Sequence, residues 1–102
     1  MTNEDPGEYI DDHIRDVLAG HGRLLVDVRA LADEDDLFRA GMSSRANVWV
    51  MLALEEHFGV EFPEHMQRRG TFKSMHSIRS AIAELLEGRA WRAEVAEDDD
   101  HP

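Results

Sequence analysis

The chain has 102 residues, enough for one domain with a modest core and too few for a barrel or a two-domain enzyme. It contains no cysteine, which excludes disulfides and thiolate metal sites and leaves any thiol chemistry to a group added after translation. A formal charge of -11 argues against nucleic acid as a partner, because neutralising phosphates takes a basic surface.

That charge is unevenly spread. Residues 1–36 hold eleven acids and three arginines, residues 37–92 six acids and eight bases, and residues 93–102 five acids, so the middle of the chain is not acidic. The first thirty residues carry no apolar signal core. The longest apolar run, Val48 to Leu54, is far short of a membrane span, so the expected location is cytoplasmic, with no membrane partner.

Residues 1–5 are expected to be a flexible N-terminus. Asp5, Pro6, Gly7 and Glu8 then read as a helix start: an acid to cap, a proline whose missing N–H is harmless there, and a glutamate placed to reach back. Ile10, His13, Ile14, Val17 and Leu18 recur at three-to-four spacing, and Gly20 or Gly22 can end this first helix, placed at about residues 6–19. From His21 to Met42 no helical period appears. Leu24, Leu25, Val26 and Val28 would suit a strand, but no second alternating segment exists to pair with it. The expectation is a long loop pinned to the core by Leu24, Val26, Leu37 and Phe38.

Ser43 can cap a second helix that continues through Phe58 and is closed by Gly59. Pro63 permits a short third helix to about Arg68 or Arg69, stopped by Gly70. Ser74 can cap a fourth, with Met75, Ile78, Ile82, Leu85 and Leu86 on one stripe and Gly88 as its stop. The fold class expected is all-α, a small four-helix bundle of three main helices and one short helix over residues 6–88. The acidic remainder, 89–102, is expected to be a disordered tail.

Two stretches carry the chemistry: Asp36-Leu37-Phe38-Arg39-Ala40-Gly41-Met42-Ser43-Ser44, and Val48 to Pro63 with its Met51-Leu52-Ala53-Leu54-Glu55-Glu56-His57-Phe58-Gly59-Val60-Glu61-Phe62-Pro63. Together they closely resemble the acyl carrier protein family over about Ile10 to Leu86. In that family an acid, Leu-Phe, Gly, an apolar residue and Asp-Ser-Leu open the second helix, and the serine receives 4'-phosphopantetheine from coenzyme A through a phosphopantetheinyl transferase. Ser44 falls on that serine without a gap. The resemblance therefore implies an acyl-carrier-protein-like bundle with Ser44 as the covalent cofactor site. A serine in the first turn of a helix lies beside unpaired N–H groups and the positive end of the helix dipole, both favourable to a phosphodiester.

The departures from the pattern also inform. Ser43-Ser44-Arg45 stands where the family has Asp-Ser-Leu, and Ala46 and Trp49 occupy positions that are usually acidic along the exposed second helix. Enzymes of fatty acid synthesis recognise their carriers through basic patches, so the loss of those acids implies a specialised partner. The Gly41-Met42-Ser43-Ser44 opening with Met51-Leu52-Ala53-Leu54-Glu55 is similar to the bacterial aminoacyl carrier proteins. These are charged by amino acid:carrier protein ligases, stand-alone relatives of seryl-tRNA synthetase. That resemblance implies ATP-dependent loading of a small amino acid such as glycine or alanine as a thioester, and delivery to an acceptor enzyme. Arg45, Val48, Trp49 and Leu52 are the expected partner-binding residues, and no catalytic residue is expected.

Simpler readings stand beside these. Serine is a preferred capping residue, and taken alone Ser44 would be no more than a helix-start serine. Val50, Met51, Leu54 and Phe58 share one helical face, read as core, whereas Val48, Leu52 and Glu55 share another, read as partner-facing. The six histidines show no i, i+4 pair, so no metal site is expected. Ser44 also lacks the G-x-S-x-G setting of a hydrolase. Arg68, Arg69, Lys73 and Arg79 form a basic cluster, read as a solvated face or a second docking patch. Two alternative functions remain: a specialised acyl carrier, loaded by an acyl ligase, for fatty acid or secondary-metabolite synthesis, and a cofactor-free helical interaction module.

Overall fold

The computed structural model describes the backbone of residues 6–98 and the side chains of residues 9–88. The expected flexible N-terminus, 1–5, and the last four residues of the acidic tail lie outside the described residues. Within them the chain is all-helical, with three helices: α1 (Pro6–Val17), α2 (Ser44–Phe58) and α3 (Met75–Asp98). No strand is present among the described residues: Leu24 to Asp27 is loop, as the lack of a pairing partner implies, and Val28–Ala30 is a short 3₁₀ turn.

The core is where the three helices meet. Ile14, Val17 and Leu18 come from the first helix and the turn that follows it, Val50 and Leu54 from α2, and Met75, Ile78 and Ile82 from α3. Phe62 and Phe72, from the segment between α2 and α3, close the bundle edge-to-face with ring centres 5.1 Å apart.

The first helix runs on as a wider turn, Leu18–Gly22, and neither Gly20 nor Gly22 supplies the left-handed stop. Arg23 does, at φ 53 and ψ 43. The loop is pinned differently from the expectation. Leu24, Val28 and Phe38 are half-buried against the core, and Leu31, Leu37 and Met42 are buried in it, whereas Val26 is largely exposed and pins nothing.

Polar contacts then hold the loop to the helices. Arg15 donates to the carbonyls of Val28 and Leu31, and the Arg79 guanidinium donates to both Asp11 of α1 and Asp33 of the loop at 2.7–3.1 Å. Hydrogen bonding to Arg79 is the main cause of a lowered Asp33 pKa, outweighing the opposing effect of burial. The same pairing pushes Arg79 up.

The short third helix is present as two separate 3₁₀ turns, Glu64–Met66 and Arg69–Phe72, with extended Arg68 between them. Met66 and Phe72 are both buried, and the chain has to turn twice to bury both. Gly70 lies inside the second turn. At the start of α3, Ser74 Oγ accepts the Ser77 N–H while Ser77 Oγ accepts the Ser74 N–H, a reciprocal cap. Gly88 does not end α3. An interior glycine costs only about 1 kcal/mol relative to alanine, and good helix formers flank it on both sides, so the backbone continues to Asp98.

Candidate functional site

The approach to α2 begins at Asp36. Its carboxylate accepts the N–H groups of Phe38 (2.9 Å) and Arg39 (3.2 Å), turning the chain back on itself. Partial burial pushes this carboxyl up. The two backbone hydrogen bonds, with Lys73 and Arg39 nearby, outweigh it and hold the pKa below the usual carboxylate value. Leu37 is anchored by its N–H to the Lys73 carbonyl (2.7 Å), and the Arg69 guanidinium stacks over the Phe38 ring at 3.8 Å.

Gly41 follows at φ 120, a conformation that side chains rarely adopt. Met42 then drops into the core, 2% exposed. With Leu37 and Met42 buried on either side of Gly41, the next two residues emerge at the surface.

Ser43 is the N-cap: its backbone is extended and its hydroxyl accepts the Ala46 N–H at 3.0 Å. Ser44 is the first residue of α2 and is exposed, with no hydrogen bond to its hydroxyl among the described residues. The capping work that would explain a helix-start serine is done by its neighbour. No acid occupies the first turn of α2, and Arg45 sits there instead, so the positive end of the helix dipole is left uncompensated.

Along α2, Ala46, Val50 and Leu54 face the core, while Val48, Trp49 and Leu52 are 48%, 58% and 54% exposed. The expected partner-binding residues Arg45, Val48, Trp49 and Leu52 therefore lie together on the solvent side of the first turns. Glu55 leaves this group: its carboxylate turns inward to accept the Phe62 N–H at 2.8 Å. At the far end Gly59, at φ 66 and ψ 38, closes the helix through its N–H to the Glu55 carbonyl.

Two groupings were invisible to spacing along the sequence. His13 of α1 and His57 of α2 approach with ring nitrogens 2.7 Å apart, and Tyr9 and Phe58 pack edge-on beside them. Asp33, Glu34 and His76 also come together, and Arg79 pairs with Asp33 there in an ion-pair network. The basic cluster is thereby divided. Arg79 ties α3 to α1 and the loop, and Arg69 covers Phe38.

No family model matches the chain. It is 42% identical over 76 residues to an aminoacyl carrier protein of Agrobacterium fabrum, covering 74% of this chain and 92% of that protein. Among solved structures it is similar to the carrier protein from Agrobacterium tumefaciens in a complex with AMP and an engineered glycine:carrier protein ligase of Bradyrhizobium japonicum. There the identity is 41% and the TM-score 0.70, over 72% of this chain and 97% of that one. A solution structure from Agrobacterium tumefaciens matches at 40% identity and TM-score 0.63, over 78% and 96%.

Proposed function

The chain belongs to the aminoacyl carrier protein family, and from that premise we propose that it bears 4'-phosphopantetheine on Ser44 and carries an activated small amino acid. The group is attached from coenzyme A by a phosphopantetheinyl transferase and supplies the thiol that this cysteine-free chain lacks, so that an aminoacyl unit can be held as a thioester. The observation that carries this reading is the free, exposed Ser44 hydroxyl beside a Ser43 that has already taken the cap.

The residues present fit such a group. A phosphodiester on the first residue of α2 would lie at uncompensated helical N–H groups with no acid in the first turn to repel it. Leu37 and Met42 hold the approach to the helix in place, and Gly41 makes its turn. The chain's role is to present the arm and be recognised, while the chemistry belongs to its partners. An ATP-dependent amino acid:carrier protein ligase of the seryl-tRNA synthetase-like type loads it, and an acceptor enzyme takes the amino acid away. Glycine as cargo is supported by the ligase bound to the solved relative. Arg45, Val48, Trp49 and Leu52 form the surface these enzymes meet. A cytoplasmic setting suits ATP-dependent loading, and no helix among the described residues is long and apolar enough to cross a membrane.

Intact mass before and after incubation with coenzyme A and a broad-specificity transferase tests this. Wild type should gain one phosphopantetheine and Ser44→Ala none. Failure to gain it with several transferases would leave the exposed Val48, Trp49 and Leu52 face as a cofactor-free interaction module.

A further inference from the structure

Six large apolar residues are exposed among the described ones; three of them, Val48, Trp49 and Leu52, lie on the first half of α2, and a fourth, Leu25, lies beside Gly41 on the approach to that helix. Leu25 is the most exposed, at 85%, yet its backbone is fixed. Its N–H donates to the Ala40 carbonyl at 2.8 Å. Gly41 lets the two segments approach: a Cβ there would fall 2.9 Å from both the Leu25 nitrogen and its Cγ. Leu25 is thus a bare apolar side chain on a held backbone, beside the segment that leads into Ser44. Such a group loses little backbone freedom on binding.

Between this loop and α2 runs a cleft of about 550 Å³, with His21 and Arg23 on one wall and Ser43, Arg45 and Trp49 on the other. None of its lining residues is acidic, in a chain with 22 acids against 11 lysines and arginines. Both arginines stand where stability alone would not put them. Arg23 adopts a left-handed backbone that favours glycine, and Arg45 occupies the positive end of α2.

We propose that this cleft and Leu25 form the loop-side half of a docking surface for an acidic, apolar segment of the aminoacyl ligase. A carboxylate of that segment enters between Arg23 and Arg45, and its apolar side chains cover Leu25 and Trp49. This rests on the reading of Ser44 as the carrier serine. It adds Arg23 and Leu25 as specificity-determining residues beyond the helical face, and it assigns the partner's surface a negative sign. An acidic segment complements this acid-free cleft of a strongly acidic chain, whereas a basic segment would meet both arginines.

The test uses the full-length chain, first converted to the phosphopantetheine form and verified by intact mass, with the glycine:carrier protein ligase of Bradyrhizobium japonicum as the probe. Arg23→Gly suits the left-handed backbone and removes only the side chain, so its thermal melt should equal or exceed that of wild type. Arg23→Gly, Arg45→Glu and Leu25→Ala should each raise KM for glycine loading about tenfold with kcat held, and the two arginine effects should shrink as salt rises. Unchanged KM in Arg23→Gly and Leu25→Ala, on protein whose mass proves it modified, would overturn the docking surface and leave the carrier reading intact. A chain that never gains phosphopantetheine would remove the carrier reading and this surface with it.

Discussion

The two ends of α2 are built differently. Its C-terminal end is closed: Gly59 takes the left-handed position, Glu55 reaches in to the Phe62 N–H, and His57 meets His13 across the α1 interface. Its N-terminal end is open: Ser43 caps it, Ser44 stands free, and Val48, Trp49 and Leu52 lie bare to solvent beside Arg45. Both ends of the helix are satisfied and one face is buried; what differs is that the N-terminal half leaves exposed apolar side chains near the uncommitted Ser44 hydroxyl.

The sharpest way to break this comparison is to exchange the two serines. Ser44→Ala should abolish modification by a transferase while leaving the thermal melt essentially unchanged. Ser43→Ala should lower stability by about 1 kcal/mol in urea unfolding and leave the modifiable hydroxyl in place. If Ser44→Ala melts low or Ser43→Ala does not, the division of labour between cap and carrier is wrong.

The two faces of α2 can be set against each other in the same way. Leu54→Ala should cost about 2–5 kcal/mol, because Leu54 is fully buried among core side chains, whereas Leu52→Ala on the open face should fall within about 0.5 kcal/mol of wild type. The closed end should resist change at Gly59: Gly59→Ala places a Cβ on a left-handed backbone at a cost of about 1–2 kcal/mol.

Acid should act on the seam between α3, α1 and the loop. The Asp33 carboxyl is held below its ordinary value by Arg79. Its contribution is therefore present above the unfolded pKa, near about 3.9, and is lost as pH falls through the folded value. Urea midpoints measured from neutral pH downward should place Asp33→Asn below wild type at pH 6, with the gap narrowing below about pH 4. The smallest effect belongs to Gly88, where a Cβ meets nothing within 4 Å: Gly88→Ala should stabilise by about 0.5–1 kcal/mol.

What was legible in the sequence was local. Ser43, Gly59 and Ser74 announce helix ends because a cap is decided within three or four residues, and the buried stripes of α2 and α3 follow from spacing alone. The candidate site was legible in a different way: Asp36 to Ser44 is one continuous stretch that resembles the acyl carrier pattern, whereas capping preference alone makes Ser44 no more than a helix-start serine. What spacing does not encode is contact across the chain. Arg79 finds Asp11 and Asp33 from 68 and 46 residues away, and His13 finds His57 from 44. In the loop, an apolar run without a period does not say which members are buried, so Val26 reads as an anchor although Leu31 and Met42 do that work. Arg23 as a helix stop runs against the preference for glycine, and the two 3₁₀ turns reflect the separate burial of Met66 and Phe72.

The central claim is that Ser44 carries an amino acid through an attached thiol, and the most direct measurement is retention of labelled glycine. Wild type treated with coenzyme A and a transferase, then with ATP, glycine and the glycine:carrier protein ligase, should hold label that survives acid precipitation and is released by hydroxylamine. Ser44→Ala, and wild type never exposed to coenzyme A, should hold none. Label on Ser44→Ala, or none on wild type whose mass shows the modification, would contradict the account.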